Sequence, residues 1–125
     1  MAYNISLWKT KRLENFSIPL EAFYTSDRQD WHPSRPEITS PDACEIVLEC
    51  GCEQTIRGIL QSGQLTINQF EMAGEGSGVF YNAILLPALQ RSHGRLEAVL
   101  IWEGGDSIIR LTVEDGLLFE EDIEL

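Results

Sequence analysis

The last thirty residues constrain the fold of this chain more than any other part of it. Three runs of β-type residues, at 96–103, 107–113 and 117–123, are separated by Gly104-Gly105-Asp106 and Glu114-Asp115-Gly116. Gly-Gly and Asp-Gly supply the positive φ angles that tight hairpin turns need. The sequence therefore predicts a C-terminal antiparallel β-meander over residues 96–125.

A strand and a hairpin are expected before the meander. Cys44, Ile46, Leu48, Cys50 and Cys52 alternate along residues 44–52, which is typical of a half-buried strand. Residues 53–61 fit either a helical turn or a strand. Because the Ser-Gly pair at 62–63 leads into a second alternating run at 64–72, we favour a hairpin.

The remaining segments are expected to be short elements with clear boundaries. Residues 3–13 predict an edge strand or a loose basic arm, and residues 15–24 predict a strand that Pro19 ends or confines to an edge. The glycine-rich stretch 74–78 predicts a hairpin loop, and the apolar run 79–86 predicts a buried strand. Residues 87–94 predict about one helical turn, with Pro87 at its start and Gly94 closing it.

These patterns together predict a mainly β protein. Seven to nine short strands separated by turn signals favour a small antiparallel barrel or sandwich with at most one short helix. The alternative is an α+β arrangement in which one helix, at 53–61 or 83–92, packs on an antiparallel sheet. The length of 125 residues and the hydrophobic fraction of 43% predict a single domain, 1–125, with one core.

Charge is divided unevenly along the chain. Residues 1–40 carry five basic and five acidic side chains, so the net charge of −11 comes entirely from residues 41–125. A surface of this sign repels phosphate backbones, and direct nucleic-acid binding is not expected. The simplest interpretation is a well-solvated surface. The functional alternatives are a patch for a protein partner with a basic surface, or a mimic of nucleic acid.

The sequence does not predict a membrane-bound or secreted protein. Charged residues interrupt the first twenty positions, so no signal peptide is indicated. The longest apolar run, 79–89, contains Asn82 and Pro87 and is shorter than the ~18 residues of a membrane span. We therefore expect a soluble, cytoplasmic protein without membrane contact. Its oligomeric state does not follow from the sequence.

Residues 25–42 predict a long irregular loop, since they contain three prolines and few large apolar residues. Long loops in compact domains often carry function. We expect a binding surface here, formed by Asp30, Trp31, His32 and Arg35. Trp31 is the expected main contact, because large aromatic residues often dominate binding energy. In the competing interpretation, Trp31 anchors the loop to the core.

The cysteines and glycines offer candidate chemistry, but we expect none from them. Cys44, Cys50 and Cys52 with a histidine would make a zinc ligand set. The cysteines share their strand face with apolar residues, however, which favours buried, metal-free thiols. No disulfide, metal or other cofactor is expected. The glycines at 74, 76 and 78 lack the spacing and the lysine of a phosphate-binding loop.

No set of residues with catalytic spacing is apparent. The sequence therefore predicts a non-catalytic binding module that acts on another macromolecule. A small β-barrel that carries an apolar ligand is the first alternative. An enzyme that uses His32 or His93 as an acid or base is the second.

Overall fold

The computed structural model describes residues 4–37, 42–50, 54–103 and 107–123. Its strands are β1 (Ile5–Pro19), β2 (Cys44–Glu49), β3 (Thr55–Gln61), β4 (Gln64–Glu71), β5 (His93–Trp102), β6 (Ser107–Glu114) and β7 (Leu117–Asp122). All pair antiparallel in one sheet of order β2-β3-β4-β1-β5-β6-β7. The sheet is not closed. The expected mainly β, antiparallel fold with one short helix is confirmed.

Strand β1 lies at the centre of the sheet, so the edge strand or arm expected at 3–13 was wrong. Its first part pairs with β5, from Ile5 opposite Trp102 to Glu14 opposite Arg95, and its last residues pair with β4. Three register shifts interrupt the pairing with β5. Bulges of this kind bend a strand and disturb its alternation, which explains why the sequence pattern was misleading. Pro19 ends the strand, and a 3-10 turn, Leu20–Tyr24, follows.

The predicted hairpin at 53–72 and the predicted turn of the meander at 115–116 are confirmed. Residues 53–61 contain a strand, β3, which pairs with β4 across a turn in which Ser62 and Gly63 both have positive φ. Asp115 and Gly116 likewise have positive φ between β6 and β7. The other predicted turn of the meander, at 104–106, lies outside the described residues.

The predicted hairpin loop at 74–78 and the predicted buried strand at 79–86 were wrong. A helix begins within the first of these segments and continues through the second. Helix α1, residues 77–89, consists of an α-turn, Ser77–Phe80, a π-turn, Tyr81–Leu85, and a second α-turn, Leu86–Leu89. The widened turn contains Ala83, the residue four positions before Pro87. Proline has no N–H, and its ring would clash with the carbonyl at that position in a regular helix. Gly94, expected to close a helical turn, lies in β5.

The core lies between one face of the sheet, here called the inner face, and helix α1. Leu96, Ala98 and Leu100 of β5 are fully buried there, and the register places Leu111 and Val113 of β6 beside them. The opposite, outer face of β5 also carries apolar side chains, Val99 and Ile101, as in a strand that is covered on both sides. These two side chains are only half-buried, however, and within the described ranges β5 packs mainly against its two neighbouring strands.

Helix α1 contributes apolar side chains at i, i+4 spacing, and these pack in the core on the inner face of the sheet. The fully or almost fully buried members are Phe80, Tyr81, Ile84, Leu85, Ala88 and Leu89. In the part of the chain that the structure describes, no helix is long and apolar enough to cross a membrane.

Candidate functional site

Strand β7 forms one free edge of the sheet and carries most of the described features of a binding surface. Among the described strands it pairs with β6 alone, and of the described large apolar residues Leu117 and Phe119 are the two most exposed, at 64% and 59%. Glu120, Glu121 and Asp122 follow directly and are exposed. The edge therefore combines apolar contact area with negative charge.

The backbone of β7 has hydrogen-bonding groups that point away from the sheet. The N–H of Ile123 donates to the carbonyl of Ile108 at 2.9 Å. Antiparallel pairing alternates between bonded and non-bonded residue pairs. It follows that the N–H and C=O groups of Leu118, Glu120 and Asp122 point towards the free edge. An added strand would bond to these groups.

One carboxylate of β7 is tied to the helix. Glu120 lies on the inner side of the strand, and its Oε1 accepts a hydrogen bond from the Tyr81 hydroxyl at 3.2 Å. Burial, together with the negative charge of Glu120, raises the pKa of Tyr81. This contact holds the edge strand β7 against α1 and so fixes the position of the strand relative to the helix.

The main binding surface was expected in the loop at 25–42, with an acidic patch in the later part of the chain as an alternative, and the apolar part of β7 was missed. Leu117, Leu118 and Phe119 are consecutive apolar residues, so composition alone does not say which of them faces solvent. The Asp-Gly turn was the sequence signal that could have revealed them. It pairs Glu114 with Leu117, and this register directs Leu118 to the inner face and Leu117 and Phe119 to the outer face.

Trp31 belongs to a short 3-10 turn, Gln29–Trp31, and is half-buried against the start of helix α1. Its six-membered ring lies over Gly76. A Cβ atom at that position would lie 2.7 Å from Trp31 Cη2, and Gly76 also has a φ of +87°. The Gly76 N–H donates to the Asn4 side chain at 3.1 Å. This packing is the contact that the anchoring interpretation of Trp31 requires.

Arg35, His32 and Asp30, the other expected site residues, also make contacts within the loop region. Arg35 forms a two-pronged ion pair with Glu21, at 2.7 and 3.1 Å, and its guanidinium stacks on Tyr24 at 3.9 Å from the ring centroid. The Arg35 guanidinium is the main cause of a lowered pKa at Glu21. Together these contacts bring residue 35 back onto the 3-10 turn that follows β1.

His32 and Asp30 are engaged by nearer neighbours. The Nε2 atom of His32 lies 2.8 Å from the Ser26 carbonyl oxygen, and its ring meets the edge of Tyr24 at 5.7 Å between centroids. Asp30 pairs weakly with Arg28, at 3.4 Å, and both side chains are exposed. The expected site residues thus lie in one loop and organise it, but they do not converge on a single point.

The described cysteines lie on the inner side of β2. Cys50 is fully buried and Cys44 is half-buried, and both are free thiols. Burial raises the pKa of the Cys50 thiol to about 12, which keeps it protonated and unreactive at neutral pH. Cys52 lies outside the described residues. Within the described ranges, no three His, Cys, Asp or Glu residues are grouped as metal ligands.

Two sets of contacts concern the alternative functions. Helix α1 packs its apolar side chains against the inner face of the sheet, where a barrel carrier would hold an apolar ligand. His32 is bonded to a backbone carbonyl, and His93 is exposed at the first position of β5, where it pairs with Ser17.

Comparison with known proteins returns no significant match: no protein-family model, no curated protein and no solved structure resembles this chain.

Proposed function

We propose that this protein is a non-catalytic binding module that pairs the free edge of β7 with an extended, basic segment of a partner protein. The observation that carries the proposal is the coincidence, on one edge strand, of outward backbone groups, exposed apolar side chains and carboxylates. Strand addition draws affinity from backbone hydrogen bonds and specificity from alternate side chains.

The negative charge of the sheet edges indicates which kind of partner β7 would bind. The other free edge, β2, also carries exposed carboxylates, at Glu45 and Glu49. Like charges oppose the pairing of either edge with the same edge of a second copy. A lysine- or arginine-rich segment meets the opposite sign at β7 and is attracted over a distance set by ionic strength.

The loop that carries Trp31 is proposed as a second contact surface. Asp30 and Arg35 remain accessible, with side chains 67% and 57% exposed. Their involvement stays a prediction. We also propose a cytoplasmic location, which the free thiols of Cys44 and Cys50 favour, since disulfides are rare in that compartment.

The proposal is tested with a synthetic peptide that alternates lysine with valine. NMR titration of the labelled protein should shift the amide signals of Leu118, Glu120 and Asp122 most, with saturation. Binding should weaken as salt is added. Saturable shifts that centre on another part of the sheet, or no saturation at all, would contradict the proposal.

Matched variants separate strand addition from general attraction between charges. Asp122→Pro removes an outward N–H and a carboxylate, whereas Asp122→Ala removes only the carboxylate. We expect the proline variant to bind about fivefold more weakly than the alanine variant, the effect of about one hydrogen bond. Glu49→Pro makes the equivalent change at the β2 edge and should leave peptide binding unchanged relative to Glu49→Ala.

A further inference from the structure

The outer face of the β1-β5-β6-β7 half of the sheet is self-complementary. We propose that two copies of this chain pack these faces against each other as a weak symmetric dimer. The contact uses side chains that point away from the core, among them Phe119 and Glu121 of β7, and leaves the outward backbone groups of that strand open. The dimer can therefore form without the proposed strand addition, and self-association measures it separately. It rests on how the strand register arranges these side chains in rows.

The first row is apolar. Leu7 of β1 lies opposite Ile101 of β5, which lies opposite Ile108 of β6. The backbone bond from Ile123 to Ile108 extends the row beyond the end of β7. Leu7 is 44% exposed. Four large apolar side chains in one row on a solvent-facing sheet surface are unusual for a sheet face that stays solvated.

The symmetry that fits this face is a twofold axis along the strands, between β5 and β6. Such an axis places β1 of one copy over β7 of the other, and β5 over β6, at the same level along the strands. In the apolar row, Leu7 then faces Ile123 of the second copy, and Ile101 faces Ile108. Packed sheets rotate by about 30° from this alignment and lie ~10 Å apart.

The second row is charged and matches itself under the same operation. Lys9, Val99, Arg110 and Glu121 lie side by side in the register. The axis places Lys9 over Glu121 of the second copy, and the aliphatic stem of Arg110 over Val99. Lys9 has no ion-pair partner among the residues that the structure describes, and Glu121 has only a 3.7 Å contact with Arg110.

The third row also brings unlike groups together. Arg12, Glu97, Thr112 and Phe119 are aligned across the four strands. Under the twofold operation Arg12 lies over the exposed ring of Phe119, an arrangement that favours a cation–π contact. Glu97 lies over Thr112, whose hydroxyl is a hydrogen-bond donor.

The size of the face sets the strength of the dimer. Four strands at ~4.8 Å spacing, over about eight residues of ~3.3 Å each, give on the order of 500 Å² per copy. The total of about 1,000 Å² is at the lower limit for a specific interface. We therefore expect a dissociation constant in roughly the micromolar range.

Charge exchange tests the pairing of Lys9 with Glu121, with sedimentation velocity over a concentration series as the measurement. Lys9→Glu and Glu121→Lys should each raise the dissociation constant at least tenfold, because each places like charges opposite each other. The double variant should return it to within about threefold of the original. Arg57→Glu, which makes the same change of charge on β3, should have no effect.

A second measurement is cross-linking of the variant with Lys9→Cys and Glu121→Cys. Within one chain these positions are about 14 Å apart, three strand spacings, which exceeds the reach of a disulfide. A bifunctional thiol reagent with a span below about 10 Å, the usual spacing of packed sheets, should therefore give a covalent dimer that neither single variant gives. A monomer at roughly millimolar concentration, or a dimer that is indifferent to both charge reversals, would overturn the proposal.

Discussion

At the scale of single residues, the contact between Trp31 and Gly76 joins a loop to the start of the helix. The two residues are forty-five positions apart, and no local pattern in the sequence relates them. Local sequence reasoning therefore placed Trp31 on a loop but left open whether it faces a partner or the core. The packing on Gly76 favours the anchoring role, which makes a quantitative prediction about both residues.

Gly76→Ala should destabilise the protein by about 2 to 4 kcal/mol, because it adds steric conflict with Trp31 to the cost of a positive φ. Gly63→Ala is the matched control, since Gly63 has a φ of +76° with nothing within 4 Å. It should cost only about 1 kcal/mol. In a Trp31→Ala background the two glycine substitutions should cost about the same. Urea unfolding measures each value, and equal costs with Trp31 present would rule out the anchoring contact.

Burial of Cys50 predicts a loss of stability at alkaline pH. Its pKa rises from 9.0 to about 12 on folding, so above pH 9 the folded chain binds more protons than the unfolded chain. Stability therefore falls as pH rises from 9 towards 12. At about pH 10.5 the loss is about 2 kcal/mol relative to pH 7. Cys50→Ala should remove that part of the loss, and an unchanged pH dependence in the variant would show that the thiol is not the cause.

At the scale of elements, β5 has one buried and one half-open face. Leu100→Ala should cost about 2 to 5 kcal/mol, since Leu100 is fully buried and the substitution leaves a cavity. Val99→Ala, one position along on the outer face, should cost less than about 1.5 kcal/mol. The ratio of the two losses in unfolding free energy, one for each substitution, checks the register of the strand. Similar costs would mean that the outer face is covered after all.

Elements were predictable from sequence where the signal was local. The meander was found because alternation and the Asp-Gly turn at 115–116 lie within a few residues of the strands that they define. The first part of helix α1 was predicted as a strand, because a short apolar run does not by itself distinguish a buried strand from a buried helix. The helical turn predicted at 87–94 and the alternative helix at 83–92 overlap only its later part. The recurrence of Phe80, Ile84 and Ala88 at four-residue spacing was the available signal.

The candidate site was only partly predictable for the same reason. The acidic character of 114–125 was visible in the sequence, but its place at a free edge depends on strand order. Strand order follows from the long-range pairing of β1 with β4 and β5, which no local pattern specifies. The half-exposed outer face was also hidden, because Val99 and Ile101 are apolar residues in a strand with two apolar faces.

At the scale of the whole molecule, a net charge of −11 on 125 residues works against compactness through self-repulsion. Raising NaCl from about 10 mM to about 150 mM shortens the screening length from about 30 Å to about 8 Å. The melting temperature, measured at low protein concentration, should rise by about 2 to 5 °C. KCl at equal ionic strength should raise the melting temperature by the same amount as NaCl. A rise with only one of the two salts would indicate specific ion binding instead of screening.

The central position of β1 has a consequence for synthesis of the protein. β1, the first of the described strands to leave the ribosome, completes its pairing only with residues up to ninety-seven positions later, since Ile5 lies opposite Trp102. Contacts of such long sequence separation slow folding. Until β5 emerges, one side of β1 has no partner, whereas β2, β3 and β4 can already pair in sequence. Nascent chains halted before residue 93 should therefore expose β1 to proteases and chaperones, and those halted well past residue 114 should protect it.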